Sequence, residues 1–203
     1  MPIDDHMLTA ELFEDAIASH QRSVELFRDQ REVVERIGRI MLHSLQNGGK
    51  ILWCGNGGSA ADAQHLAAEI VGRFKRNRKG MASIALTTDT SILTAVANDF
   101  GYDCVFQRQV EALCGPDDVL VAISTSGNSR SVCAAVEAAK SVGAATIGFT
   151  GGKGGALASL ADEVLCVQSM ETARIQEVHI LCGHILCDWI EAAAVAPMAR
   201  DIR

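Results

Sequence analysis

The stretch Ile51-Leu52-Trp53-Cys54-Gly55-Asn56-Gly57-Gly58-Ser59 joins a short apolar run to a loop rich in glycine, and a helical spacing of apolar residues follows it. An apolar run that ends in such a loop before a helix is typical of a buried strand. The pattern returns at 118–123, which leads through Ser124-Thr125-Ser126-Gly127-Asn128-Ser129 into a second helical segment. Because parallel strands need crossover connections, two such units predict a strand–helix alternation.

Three further short apolar runs, at 82–86, 145–149 and 163–167, fit the same alternation, and a helical segment from about 172 to 194 follows them. Strands that are apolar along their whole length are covered by helices on both faces of the sheet. The sequence therefore predicts an α/β fold. We expect a three-layer sandwich around a five-stranded parallel sheet, doubly wound and flavodoxin-like.

The segment ahead of the sheet, residues 1–48, is predicted to be an N-terminal helical extension. Apolar residues recur at helical spacing in two segments between 9 and 46, and Asn47-Gly48-Gly49 ends the second one. The extension and the α/β core at 49–203 are predicted to form a single domain. Because the apolar stripe of the extension needs cover, we expect it to pack against other subunits.

Charge and composition exclude some classes of function. The chain of 203 residues has a formal net charge of −7, which argues against nucleic-acid binding by a broad basic surface. One basic run, from Arg73 to Lys79, has two interpretations: a solvated helix end, or a contact with a local anion or partner. The seven cysteines show no CxxC spacing, which indicates reduced thiols.

The N-terminal residues lack the basic and apolar regions of a signal peptide. We find no apolar run that approaches the roughly 20 residues needed to span a bilayer. The sequence therefore predicts a cytoplasmic protein that does not bind membranes.

The two loops that follow the first and third strands predict a phosphate site. In open α/β sheets, ligands bind outside the carboxyl ends of the strands, where helix N-termini offer unpaired backbone N–H groups to an anion. The second loop adds the hydroxyls of Ser124, Thr125, Ser126 and Ser129. Turn and capping chemistry uses the same residue types and is the alternative explanation.

The first loop also matches the GxGxxA pattern of dinucleotide-binding folds, from Gly55 to Ala60. Those folds place an acidic residue roughly 20 positions further on, at the end of the next strand. Here the next strand ends near Asp89, more than 30 positions on. The pattern supports a nicotinamide or flavin enzyme only weakly.

Two pairs of side chains have spacings that suit a metal site. His65 and Glu69 lie four residues apart on one predicted helix, and Gln176 and His184 lie eight apart on another, so each pair shares a helix face. Two imidazoles, a carboxylate and an amide oxygen suit zinc or a similar divalent ion. A surface pair of His65 and Glu69 is the alternative. His179 is interpreted as a packing residue or a partner of a metal ligand, and not as a ligand itself.

Four motifs carry a resemblance to a known family. They are Cys54-Gly55-Asn56-Gly57-Gly58-Ser59, Asn98-Asp99-Phe100-Gly101, Ile123-Ser124-Thr125-Ser126-Gly127-Asn128-Ser129 and Arg174-Ile175-Gln176-Glu177-Val178-His179. In this order they resemble the motifs of the phosphoheptose isomerases, which belong to the sugar isomerase (SIS) domain superfamily. The resemblance covers nearly the whole chain. Some members have Asp where this chain has Ala173, so one auxiliary polar contact is not carried over.

The resemblance implies an aldose–ketose isomerase that converts D-sedoheptulose 7-phosphate to D-glycero-D-manno-heptose 7-phosphate, the first step toward ADP-heptose for bacterial surface polysaccharide. It implies a homotetramer with one Zn²⁺ per subunit, and Glu69 and His184 as the acid–base pair. The implied metal ligands are His65, Glu69, Gln176 and His184. The implied substrate-binding residues are Asn56, Gly57, Gly58, Glu69, Asn98, Asp99, Ser124, Thr125, Ser126, Ser129 and Gln176.

The alternative is a non-catalytic SIS-domain protein that binds a phosphosugar and regulates a partner such as the replication initiator DnaA. That protein resembles this chain in the Ser124 loop and in the Arg-Ile-Gln-Glu segment, but it has lost the acid–base and metal positions. This chain keeps Glu69 and His184, which favours the isomerase.

Overall fold

The computed structural model describes residues 10–195 of the chain. The predicted start of the first helix near Thr9 and the predicted domain bounds at 1 and 203 lie outside the described residues. Within them, strands and helices alternate from residue 51 onward, after two leading helices.

The sheet has five strands, and every neighbouring pair is parallel. The strands are β1 (Ile51–Gly55), β2 (Ser83–Ala85), β3 (Val119–Ile123), β4 (Ala145–Gly151) and β5 (Glu163–Val167). Their spatial order is β2-β1-β3-β4-β5, the flavodoxin-like order. The predicted fold class is therefore confirmed. The order reverses between β1 and β3, so their two loops leave the sheet side by side at the crevice where such folds bind ligands.

The helices largely match the predicted segments. They are α1 (Ala10–Phe27), α2 (Arg31–Gln46), α3 (Gly58–Val71), α4 (Thr90–Phe100), α5 (Gln107–Leu113), α6 (Arg130–Ser141), α7 (Leu157–Leu160) and α8 (Thr172–Val195). Short 3₁₀ turns lie at Arg28–Gln30 and Tyr102–Cys104. The sequence did not predict α7, because four residues are too few to show a helical period. Helix α3 ends at Val71, with Gly72 as its C-cap.

Strand β1 shows how the sheet is covered on both faces. Ile51 and Trp53 are buried in a core formed with α1, α2, α3 and α8. Leu52 and Cys54 point the other way, into a core formed with α5, α6 and α7. Alternate residues of a strand face opposite sides of its sheet, so a wholly apolar strand supplies both cores.

Some apolar surface stays uncovered in the single chain. Leu12 and Phe13 of α1 are 57% and 66% exposed, and Phe100 at the end of α4 is 59% exposed. Within the described part of the chain, α4 has no buried residue. A groove of about 530 Å³ between α1, α2 and α8 is lined by apolar side chains such as Phe27 and Trp189.

Helix α8 qualifies the prediction that no apolar run reaches the length of a membrane span. It has 24 residues, and its most apolar window has a mean hydropathy of 1.4. Of that window, 44% is buried inside the protein, where α8 packs on α1, α2, α3, β4 and β5. Its apolar residues are therefore used in the core, as in the central helix of an α/β fold.

Candidate active site

Helices α3 and α8 come into close contact and bring three of the predicted metal ligands together. The Nε2 atoms of His65 and His184 lie 2.8 Å apart, and Glu69 Oε1 lies 3.4 Å from His65 Nε2. The ligand atoms of the three side chains all lie within 4.8 Å of one another. A Cβ on Gly183 would collide with Leu66, so glycine at this position permits the approach. Gly183 and Leu66, which are adjacent in sequence to His184 and His65, thus set the distance between the two helices.

The surroundings of His184 favour a neutral imidazole. Its ring stacks on Phe74, with centroids 5.3 Å apart and planes 20° apart. Burial lowers the pKa of His184 and the neighbouring His65 lowers it further, against the opposing effect of Glu69. Neutral imidazole is the form that binds a metal. Two imidazole nitrogens and a carboxylate oxygen that lie within 4.8 Å of one another fit a divalent ion such as zinc.

Two other side chains of α8 have separate surroundings. The amide of Gln176 packs against Gly58, the first residue of α3, where a Cβ would collide with it. Gln176 therefore lies beside the β1 loop, two turns before His184 on the same helix. His179 is fully buried, and its Nε2–H donates to the Thr150 carbonyl at 3.0 Å. Burial lowers the pKa of His179 to about 4, so it is a neutral core residue.

The loop after β3 is held in a fixed shape by β4 and the segment that follows it. The backbone N–H of Ser124 donates to the Phe149 carbonyl, and the N–H of Leu157 donates to the Gly127 carbonyl. Gly127 has φ +67, and a Cβ there would collide with the Gly154 carbonyl. The residue has to be glycine for both reasons. The loop is thus preformed at the amino end of α6, where backbone N–H groups are free for a ligand.

A cavity of about 350 Å³ opens between these two loops and the start of α8. The predicted residues Thr125 and Ser126 line it on one side. Lys153, Ser169 and Thr172 line the other side and were not among the predicted site residues. The glycine-rich run Gly151-Gly152-Lys153-Gly154-Gly155 after a predicted strand was the signal that could have identified Lys153. The cavity combines hydroxyls with one cation, a suitable set of donors for an anion.

Asn56 connects the β1 loop to the β3 loop. Its amide nitrogen donates to the hydroxyls of Ser129, at 2.9 Å, and Ser131, at 3.0 Å. Its carbonyl oxygen accepts a hydrogen bond of 2.7 Å from the Tyr102 hydroxyl. Asn56 therefore lies at the crevice with its amide orientation fixed. Tyr102 and Ser131 are contacts that the sequence analysis missed, because they depend on the adjacency of β1 and β3. The other two predicted residues of this loop, Gly57 and Gly58, are exposed beside Asn56.

Asn98 and Asp99 are hydrogen-bonded to each other on the surface of the single chain. Both are exposed near the end of α4, and the Asn98 amide donates to the Asp99 carboxylate at 2.8 Å. No hydrogen bond among residues 10–195 joins them to the loops or to the histidines. Ala173 is exposed in the first turn of α8.

Comparison with known proteins gives a consistent result. The family model for the SIS domain matches residues 13–151. A phosphoheptose isomerase of Roseiflexus sp. is 54% identical over 178 residues, covering 88% of this chain and 89% of the relative. One from Aquifex aeolicus is 54% identical over 168 residues, covering 83% and 86%.

Solved structures agree with these sequences. A phosphoheptose isomerase from Neisseria gonorrhoeae is similar with a TM-score of 0.82 and 47% identity, covering 90% of this chain and 96% of that one. One from Francisella tularensis has a TM-score of 0.85 and 36% identity, covering 94% and 100%.

Proposed function

This chain belongs to the phosphoheptose isomerase family of SIS-domain proteins, and we infer that it converts D-sedoheptulose 7-phosphate to D-glycero-D-manno-heptose 7-phosphate. The observation that carries the proposal is the cluster of His65, Glu69 and His184 on two helices, in a chain that also has a preformed hydroxyl-rich loop after β3. The non-catalytic alternative is not favoured, because the relatives at this level of identity are isomerases.

The proposed roles follow from the chemistry of ketose–aldose conversion. A proton moves between C1 and C2 through an enediol, so one group removes a carbon-bound proton and another returns one. Glu69 and His184 are the proposed acid–base pair, supported by their meeting across α3 and α8. The proposed ligands for one Zn²⁺ per subunit are His65, Glu69, Gln176 and His184. When bound, the ion would polarise the substrate carbonyl.

The substrate phosphate is proposed to bind at the loop after β3, through Ser124, Thr125, Ser126 and Ser129. Asn56, Gly57 and Gly58 are proposed to contact the phosphosugar from the β1 loop, Glu69 and Gln176 to contact the sugar, and Asn98 and Asp99 to hold it. The fixed shape of the β3 loop supports this assignment, since a preorganised loop loses little entropy on binding. Binding energy at the phosphate, remote from the reacting carbons, positions them for proton transfer.

A homotetramer is proposed from the uncovered apolar surface of α1, α4 and the groove on α8. Asn98 and Asp99 are exposed on the surface of the single chain, and we propose that they complete the site of an adjacent subunit. Light scattering at micromolar concentration tests the assembly, and a monomer would contradict it. We further propose a cytoplasmic role in ADP-heptose synthesis for surface polysaccharide.

The deciding experiment is exchange of the C1 or C2 proton of the substrate with deuterated water, followed by NMR with zinc supplied. Glu69→Gln and His184→Gln should each slow exchange by about 10²–10⁴-fold, the usual contribution of a general acid or base. His43→Gln, at an exposed histidine of α2, is the matched control and should exchange at the wild-type rate. Wild-type exchange in both folded site variants would remove them from the mechanism, and no exchange in the wild-type protein would contradict the proposed function.

A further inference from the structure

The basic run at 73–79 forms ion pairs with acidic residues of the same chain. After α3 ends, the run crosses α8 and pairs with two acidic residues on that helix. Lys75 Nζ lies 2.7 Å from Asp188, and Arg76 lies 2.5 Å from the other oxygen of the same carboxylate. The structure shows a third arrangement, in which the run pairs with carboxylates of the same chain.

The second acidic residue, Glu191, is fully buried and is held by the backbone of the run. Its carboxylate accepts hydrogen bonds from the N–H groups of Phe74, Lys75 and Arg76, at 2.9, 2.6 and 2.7 Å. Burial raises the pKa of Glu191, but these three hydrogen bonds and Arg78 outweigh it and hold the pKa below its ordinary value. The carboxylate is therefore ionised, and three successive N–H groups surround the charge.

Arg78 extends this arrangement to the end of α3. Its Nε lies 3.4 Å from Glu191, a charge contact too long for a strong hydrogen bond. Its Nη2 donates to the Glu69 carbonyl at 2.8 Å, and its Nη1 donates to the Gly72 carbonyl at 3.0 Å. The side chain is only 4% exposed. Arg78 thus satisfies the last carbonyls of α3, including that of a proposed catalytic residue.

The same run also contacts the proposed metal site, through Phe74. Phe74, whose N–H is bound by Glu191, stacks on the ring of His184. One buried carboxylate on α8 therefore joins the end of the helix that carries His65 and Glu69 to the ring that lies against His184. Neither Glu191 nor Arg78 is among the groups that we propose to touch substrate or metal.

We propose that Glu191, acting with Arg78, is a positioning residue that fixes the placement of His65 and Glu69 relative to His184. The proposal rests on the proposed function of these three side chains. Outer-shell partners that orient metal ligands typically affect metal affinity or activity by about 10–100-fold. The effect is expected mainly in zinc binding and in kcat and less in phosphosugar binding, because the groups proposed to bind the phosphate belong to the β3 loop and not to α3 or α8.

Glu191→Gln tests the proposal, since glutamine keeps the shape but loses the charge and presents a donor to the N–H groups. Zinc affinity is measured by competition with a chelator, and the Co²⁺-substituted protein gives an absorption spectrum of the ligand geometry. We expect zinc affinity to fall by about 10–100-fold, the Co²⁺ spectrum to change, and kcat to fall while KM changes little. Asp188→Asn is the matched control on the same helix, and it should stay near wild type because it removes only partly exposed ion pairs.

Arg78→Lys is the second variant, for the case in which Glu191→Gln does not fold. Lysine keeps the charge near Glu191 but cannot donate to both carbonyls of α3, so the same losses are expected. Wild-type zinc affinity and kcat in a folded Glu191→Gln or Arg78→Lys protein would overturn the proposal. Absence of zinc binding and of turnover in the wild-type protein would instead overturn the proposed function on which it rests.

Discussion

Gly183 determines how closely α8 approaches α3, so Gly183→Ala is predicted to impair the metal site more than the fold. A Cβ on Gly183 would lie 2.5 Å from both methyl carbons of Leu66 and 3.0 Å from its Cγ. Leu66 is fully buried in the core, so it has little room to move and one helix must shift. Because His65 and His184 are the sequence neighbours of these two residues, the shift separates their imidazoles.

Two opposing effects set the cost in stability. Alanine favours the helix over glycine by about 1 kcal/mol. Overpacking a core costs about 1–3 kcal/mol. The free energy of unfolding of Gly183→Ala should therefore lie between the wild-type value and about 2 kcal/mol below it. Zinc affinity should fall further, by about 10–100-fold, as when the support of a metal ligand is lost.

Urea unfolding and chelator competition measure these two quantities on the same samples. The double variant Gly183→Ala/Leu66→Ala is the matched control, because removing the leucine side chain makes room for the new methyl group. We expect the double variant to bind zinc more tightly than Gly183→Ala alone, although Leu66→Ala itself costs about 2–5 kcal/mol of stability. Wild-type stability together with wild-type zinc affinity in Gly183→Ala would refute the argument from helix approach.

Three further predictions concern the loops and the sheet. The double variant Ser124→Ala/Ser126→Ala should weaken phosphosugar binding by about 1–3 kcal/mol for each lost contact to the charged phosphate, and unchanged affinity by calorimetry would place the phosphate elsewhere. Tyr102→Phe removes the hydroxyl that donates to Asn56, and it should raise the dissociation constant of the phosphosugar about 2–10-fold. An unchanged dissociation constant would show that this hydrogen bond does not orient the Asn56 amide. Burial raises the pKa of Asp118, but its lysine partner and two backbone N–H groups lower it more, so its stabilisation is complete above about pH 4 and is lost as the pH falls through the lowered pKa. Asp118→Asn should therefore cost about 1.5–3 kcal/mol at pH 7 and less in acid, and urea unfolding that showed the same difference at both pH values would contradict this.

The parts of the molecule that the sequence predicted well are those set by local pattern. The five apolar runs predicted the strands, and the spacing of His65 and Glu69 predicted a shared helix face, because both depend only on the period of the element. The meeting of that face with His184 could not be derived from spacing. It depends on the contact between α3 and α8, and the notion that they meet came from the family resemblance alone.

Other features depend on contacts between residues that are distant in sequence. In the sequence, Glu191 is an ordinary charged residue of an apolar helix. Its burial depends on the run after α3, which binds its carboxylate. Tyr102 reaches Asn56 only because β1 lies next to β3. Lys153 was missed for a different reason. Its loop follows a strand as the other two loops do, but it contains no Ser or Thr that would have indicated a phosphate site.

The distance in sequence between the two histidines has a consequence for how the protein is made. His65 and His184 are 119 residues apart, and α8 leaves the ribosome after every strand of the sheet. Once β4 and α7 have emerged from the ribosome, the nascent chain has the contacts that hold the loop proposed to bind phosphate, but it lacks the helix that supplies His184. Such a chain could bind a phosphosugar without converting it. Zinc binding, in turn, would stabilise only chains on which α8 has docked, so metal supply would favour completed molecules over partly folded ones.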